Sequence, residues 1–408
     1  MRLAFVIADP GVPIGGRKGA AIHVHDLARA FGNAGVEVVA LASRVEQGIE
    51  GVEVREVRLD PDVEEVIRQL HARPEGDRTP PIAPELAALL RDQTFEQALA
   101  KAHAEAPFDA LYERQSLFGL AGLRFARRAG IPFGLEVNAP LPEEQARWRG
   151  LSLESLALAI EKRLLREADA VFCVSSFLRE RAVRLGADPG RAHLLPNGVD
   201  PSLFHPGVSG APVREKLGLG QDFVLGFFGT LRPWHGVEFL VESFARFLRR
   251  VPSSRLLVVG DGPARARAEE AANRALPEGA ARFLGWIPRE EVPAHVAACD
   301  VVASPHPPIE PFYFSPLKIF EAMALGRVVL APDLPAFREI ARDGATAALY
   351  RPADGEDFVR RLLALRDSPE ERRAIGERAS REVLSRRTWV QNARAVLESF
   401  EAVREAVP

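Results

Sequence analysis

Short apolar runs alternate with longer stretches whose apolar residues recur every three or four positions, and this rhythm passes through the 408-residue chain twice. Runs without polar alternation mark strands covered on both faces, and intervening amphipathic stretches mark the helices that cover them. Strands so buried belong to parallel sheets, whose neighbours are joined by helical crossovers. The pattern therefore predicts an α/β chain with doubly wound parallel sheets, and it excludes a helix bundle or an all-β sandwich.

The first series places strands over 3–8, 36–41, 52–57, 110–112, 131–137 and 170–174, with helices over 20–34, 84–106, 117–129, 151–167 and 176–185. Charge and proline break the rhythm over 60–84, which reads as a mobile insertion outside the core. A second series has strands over 223–228, 255–259, 301–304 and 328–331 and helices over 236–249 and 316–325. Between the two series, Pro196-Asn197-Gly198-Val199-Asp200-Pro201 has the proline and glycine content of a hinge. At about 150 residues per domain, the length accommodates this division.

Charge and cysteine narrow the classes of function. With 53 Lys and Arg against 56 Asp and Glu, the formal charge is −3, so no general excess of positive charge invites a nucleic acid. Two cysteines, Cys173 and Cys299, lie among apolar neighbours, which excludes a disulfide framework and suits a reducing compartment. The opening apolar run is cut by Asp9 before it reaches signal-peptide length, and no run approaches the roughly 18 residues of a membrane span. The expected location is cytoplasmic, with peripheral contact at the inner face of a membrane left open.

Open parallel sheets bind ligands beyond the carboxyl ends of their strands, so the loops there are the places to look for chemistry. After the first strand, Gly11, Gly15, Gly16 and Gly19 lead into a helix whose amino terminus favours an anion; a simple turn explains these glycines equally well. In the second series, Gly229 through Gly236 fill the equivalent corner, where Arg232 can hold a phosphate in two bonds and His235 stands at a helix start. Gly260-Asp261-Gly262-Pro263 and Leu284-Gly285-Trp286-Ile287-Pro288 read as further loops on the same edge, with main-chain groups suited to a nucleobase. The richest stretch runs from Glu310 to Gly326. Ser315 is expected to cap a helix with Pro316 in its first turn, and Lys318 and Glu321, three apart, share a face. An intrahelical ion pair is the plain reading, but the position at the ligand edge favours a cation for phosphate and a carboxylate for sugar hydroxyls.

Other features weigh less. Glu113 and Arg114 end the fourth strand and are either contacts to acceptor or donor sugar or a structural ion pair. Glu143 and Glu144 are adjacent and cannot flank one bond, so they read as solvated charge. His23 and His25 have the wrong helical spacing for a chelate, and no other metal spacing occurs. The arginines at 124, 127, 128, 147 and 149 read as plain surface in preference to a lipid-docking patch.

In order along the chain stand Gly15-Gly16, then Ala168-Asp169-Ala170 leading to Val174-Ser175, then Pro196-Asn197-Gly198-Val199-Asp200 with Phe204. Gly260-Asp261-Gly262-Pro263, Lys318 through Gly326 and a terminal helix with Trp389 follow. This series resembles family 4 of the retaining nucleotide-sugar glycosyltransferases over nearly the whole chain. The resemblance implies the GT-B fold, two Rossmann-like domains facing across a cleft. Residues 1–198 would form the acceptor side, 199–386 would bind the nucleotide sugar, and a helix over 387–408 would pack back on the first domain. It implies transfer from a UDP- or GDP-linked sugar to a hydroxyl of a glycan, lipid-linked or small-molecule acceptor, with the anomeric configuration kept and no cofactor or metal required.

For residues, the resemblance puts Arg232 and Lys318 on the diphosphate, because Thr230 and His235 occupy the positions where the family commonly has arginine and lysine. Gly15 and Gly16 would approach the diphosphate. Gly262, Trp286 and Ile287 would border the base, Tyr313, Ser315, Pro316 and Leu317 would line the donor, and Glu321 would hold the ribose. Glu310 is assigned to the donor sugar, and Asn138 stands where the family often has a histidine near that sugar. Two other activities fit the same layout: a nucleotide-sugar epimerase, and a non-catalytic partner subunit suggested by Thr230 and His235.

Overall fold

The structure is a computed structural model that describes residues 1–71, 82–308 and 312–405. It divides into two compact units, Met1–Pro196 with Trp389–Pro408, and Asn197–Thr388.

The first unit is built on seven parallel strands: β1 (Arg2–Ile7), β2 (Glu37–Ala42), β3 (Glu53–Glu56), β4 (Ala110–Arg114), β5 (Phe133–Val137), β6 (Ala170–Cys173) and β7 (Ala192–Leu194). Their order is β3-β2-β1-β4-β5-β6-β7, so direction of travel reverses beside β1. Every residue of β1 is buried, as both-face coverage demands. Beneath the sheet Phe5, Phe31, Tyr112 and Phe172 form a chain of tilted and edge-on rings, with Phe5 and Tyr112 5.4 Å apart between centroids and Tyr112 and Phe172 5.7 Å apart. Each such buried ring contributes about 1.5–3 kcal/mol. The terminal helix Trp389–Glu405 joins this core through Trp389, Val396 and Phe400. Gly134 makes the fit possible: a Cβ there would stand 2.8 Å from the Phe400 ring.

The second unit has six parallel strands: β8 (Phe223–Phe228), β9 (Ser254–Val259), β10 (Ala281–Gly285), β11 (Val301–Ala303), β12 (Val328–Pro332) and β13 (Ala348–Tyr350), ordered β10-β9-β8-β11-β12-β13. Leu240, Phe244 and Phe247 of the helix Val237–Arg250 pack on one face. Ile319, Phe320 and Met323 of the helix Leu317–Ala324 pack on the other.

Several local expectations are corrected. The segment expected to be a mobile insertion contains a helix, Pro61–His71, and Ile82 begins another that runs to Glu105. Leu59, Ile67, Ala83 and Ala87 form a small apolar cluster of their own, so these parts are packed; residues 72–81 lie outside the described ones. The helix expected from 117 starts at Ala121, because Phe118 takes a positive φ of 64° and Asp92 accepts the Leu120 and Ala121 N–H groups at 2.7 and 2.6 Å. Leu284 and Gly285 belong to β10 and not to a loop. Glu143 is not simply solvated: Arg181 donates to it and to Glu161. On the helix Ala121–Ala129, Arg124, Arg127 and Arg128 are each engaged by Asp92, Asp169 or Glu96, which leaves little free charge for an anionic lipid.

Candidate active site

At the carboxyl edge of the second sheet, three backbone corners lock together. Gly229 N–H donates to Val259 O at 3.0 Å, Gly260 N–H to Gly285 O at 2.7 Å, and Leu231 N–H to Asp261 O at 2.9 Å. The chains approach so closely that only glycine fits. A Cβ at Gly260 (φ 132°) would lie 2.0 Å from Gly229 O, and one at Gly262 (φ 156°) 2.5 Å from Leu231 O. Such positive φ values suit glycine for steric reasons as well.

The side chains on this edge carry charge with little compensation. Lys318, in the first turn of Leu317–Ala324, has a buried amine with no hydrogen-bond partner among the described residues, 4.6 Å above the Phe227 ring centre. Burial pushes it down to about 7. His235 closes a 3-10 turn, Pro233–His235, and its Nδ1 is bonded to Thr230 O. Burial, then the charges of Lys318 and Arg232, lower it to about 3, so it is neutral, Nδ1 is the donor and Nε2 is left as an acceptor. His235 therefore brings no positive charge to an anion at neutral pH. Arg232 begins that turn with its guanidinium 5.6 Å from the Trp234 ring centre, and it makes no ion pair among the described residues. His306, buried and bonded through Nδ1 to Ser304 Oγ at 3.0 Å, lies edge-on to His235 at 5.2 Å. It was not singled out in the sequence; Pro305, Pro307 and Pro308 around it gave no strand or helix to place it on.

Lys318 and Glu321 do not pair. Glu321 accepts from Arg289 at 3.3 Å, and Arg289 in turn lies over Phe204. Ser315 does not cap its helix, whose amino-terminal flank at Pro316 has no side-chain cap. Instead Ser315 Oγ accepts the Asn197 N–H at 3.0 Å and its carbonyl accepts from Asn197 Nδ2 at 2.5 Å, which ties the hinge sequence to the start of the Lys318 helix. Tyr313 is buried against Phe314, Ile287 is half-buried, and Trp286 is 46% exposed beyond β10. Glu310 lies outside the described residues.

In the first unit, the glycine loop after β1 is held down. Ile14 N–H donates to Arg44 O at 3.0 Å and Glu46 N–H to Ile14 O at 2.8 Å, while a Cβ at Gly15 (φ 77°) would meet Gln47 at 2.5 Å and one at Gly16 would meet Pro13 at 2.7 Å. Glu113 and Arg114 point to opposite faces of β4 and form no pair with each other. Arg114 donates to Glu136 at 3.4 Å, and Glu136 also meets His23, which rests edge-on against Trp389 at 4.8 Å. Against the upward push of burial, the His23 ring and Arg114 hold Glu136 at about 2. This buried His23–Glu136–Arg114 group also escaped sequence reasoning, since β5 reads as uninterrupted core. Asn138 follows immediately, half-buried at the end of β5. Glu113 faces the other way, fully buried against Gly119 and Gly122. Among the described residues no group of His, Cys, Asp and Glu could hold a metal, and no helix is long and apolar enough to cross a membrane.

Comparison with known proteins identifies this architecture. Residues 17–203 match the model of Glycosyltransferase Family 4, and residues 222–368 that of Glycosyl transferases group 1. The chain is 30% identical over 329 residues to D-inositol 3-phosphate glycosyltransferase of Stackebrandtia nassauensis, covering 75% of this chain and 71% of that protein. It is 28% identical over 302 residues to alpha-maltose-1-phosphate synthase of Mycolicibacterium smegmatis, covering 70% and 76%. Among solved structures, HepE of Anabaena in complex with UDP superposes with a TM-score of 0.74 at 19% identity over 98% of this chain and 100% of that one. Sucrose-phosphate synthase of Thermosynechococcus elongatus gives 0.76 at 20% over 99% of each. Two parallel-sheet units of seven and six strands, matched along their length by these proteins, place the chain in the GT-B fold, and it belongs to the family 4, group 1 glycosyltransferases.

Proposed function

We propose that the chain is a retaining, metal-independent glycosyltransferase whose second unit binds a UDP- or GDP-linked sugar and whose first unit presents the acceptor. The observation that carries this reading is the buried Lys318 amine, without a hydrogen-bond partner among the described residues, at the glycine-locked corner of the second sheet, where Lys318 and Arg232 both bear on His235. A buried amine without a counter-ion is costly, and a diphosphate supplies the missing charge. In this reading Lys318 and Arg232 stabilise the charge that grows on the departing diphosphate. Each such contact is worth about 10²–10³ in turnover.

Glu321, held in place by Arg289, accepts from the ribose hydroxyls, and Gly262, Trp286 and Ile287 border the base. His235 Nε2 suits a hydroxyl, not a phosphate oxygen. Gly15, Gly16 and Asn138 lie at the carboxyl edge of the first sheet, and Arg114 brings a guanidinium there. Several relatives have names that include a phosphate-bearing sugar or inositol, which supports a phosphorylated small molecule, or a lipid-linked one, as acceptor. The family resemblance supports glycan assembly at the cytoplasmic side.

The test is a thermal-shift and turnover panel of UDP-, GDP- and ADP-sugars with inositol phosphate and hexose phosphates. Stabilisation by one nucleotide sugar, and a glycosylated product with the donor's anomeric configuration, are expected. No stabilisation by any donor or free nucleotide would overturn the reading. Conversion of the donor sugar without an acceptor would point to an epimerase.

A further inference from the structure

Among the described residues, no negative charge lies against the Lys318 amine to balance it. Its amine is buried over Phe227, its stem passes beside Gly229, and the groups that bear on it are His235 from the turn after β8 and His306 from the segment after β11. Both rings are neutral: His235 gives its Nδ1–H to Thr230 O, and His306 is buried against Ser304, Phe312 and Phe337. Arg232, which bears on His235, adds positive charge, and Glu321 on the Lys318 helix is turned to Arg289. Burial disfavours the ammonium ion, the Phe227 face offsets only part of that cost, and no described group offers it a hydrogen bond. We propose that a nucleotide diphosphate enters this corner together with one proton, which settles on the Lys318 amine. This rests on the donor-site reading above.

The balance is simple. A nucleotide sugar carries two negative charges on its diphosphate and has no group of its own that titrates near neutrality, so the proton comes from solvent and forms the third N–H of Lys318. The two imidazoles lie much further from protonation than the amine, which burial alone brings to about 7. Above neutrality the free enzyme holds Lys318 mostly uncharged, and binding recharges it. If only the protonated form binds, apparent affinity falls about 30-fold from pH 6 to pH 8.5.

The experiment is titration calorimetry of the full chain with UDP-glucose and GDP-mannose at pH 8, in buffers of different ionisation enthalpy, with the affinity repeated at pH 6. Uptake approaching one proton per nucleotide at pH 8, falling towards zero at pH 6, is expected. Lys318→Arg, always charged, should bind without uptake, and His235→Gln should keep the uptake. Both variants are first checked for an unchanged melting transition, and the wild-type profile stands without them. Binding with no proton uptake at pH 8 refutes the proposal and leaves the donor site intact. Uptake that persists in Lys318→Arg, or vanishes in His235→Gln, puts the proton elsewhere and also refutes it. If neither nucleotide sugar binds at all, the donor-site reading fails instead.

Discussion

Glu113 allows a sharp test of how burial sets stability in the first unit. The carboxyl is 1% exposed, its Oε2 has no hydrogen-bond partner among the described residues, and it lies against Gly119 and Gly122. Burial first, and the Asp92 charge second, push it from 4.5 to about 8. The folded form therefore binds a proton that the unfolded chain releases above about 4.5, so stability must fall as pH rises from there and level off beyond about 8. At about 1.4 kcal/mol per pH unit, the gap between 4.5 and 8 corresponds to about 5 kcal/mol above pH 8 and about 3 kcal/mol at pH 7.

Glu113→Gln keeps the shape and cannot ionise. Equilibrium denaturation from pH 5 to 8 should show the variant gaining about 3 kcal/mol on the wild type across that range, with the two close together at pH 5. Parallel pH profiles, or a variant that loses ground as pH rises, would refute a protonated, desolvated carboxyl at this position.

Other outcomes follow from the same structure. Gly260→Ala, with a φ of 132° and Gly229 O 2.0 Å from its new methyl, should cost about 2 kcal/mol or more and lower the melting temperature. Glu136→Gln breaks the buried pair of Glu136 with Arg114 and should cost about 3–5 kcal/mol near neutrality. In the wild type the Glu136 contribution, present above 4.5, should be lost as pH falls from there towards about 2, which acid denaturation of the two proteins measures. Lys318→Ala and Arg232→Ala should each lower turnover about 10²–10³-fold while leaving the melting transition in place; unchanged turnover would remove them from the catalytic centre. Asn197→Ala, which removes the Nδ2 donor from the Ser315 carbonyl and leaves the backbone N–H bond to Ser315 Oγ in place, should raise KM for the donor more than it lowers kcat.

Much of the architecture was legible because buried parallel strands leave an unmistakable run of apolar residues: β8 was read to the residue, and β1, β9 and β12 to within one or two. The short edge strands β7 and β13 were missed, since three residues give no period to detect. The helix Pro61–His71 was missed for the opposite reason: its charges suggested a solvated segment, yet Ile67, with Val63, anchors it to a private apolar cluster. Sequence spacing put Lys318 and Glu321 on one face, but it could not say that Arg289, thirty-two positions away, would take the carboxylate. Ser315 looked like a cap by its place before proline, and only tertiary contact reveals that Asn197 claims it. His23 and Glu136, distant in sequence and set in apolar surroundings, gave no hint of being partners.

The helix Trp389–Glu405 has a consequence for biosynthesis. Its Trp389, Asn392, Ala393, Val396 and Phe400 are interior residues of a unit whose remainder is translated first. On the ribosome, the leading half must wait with part of its interior bare while the middle of the polypeptide emerges and collapses. Nascent molecules of this enzyme therefore pass through a stage in which the later-made lobe is finished and the earlier one is not, the stage at which chaperones have most to shield.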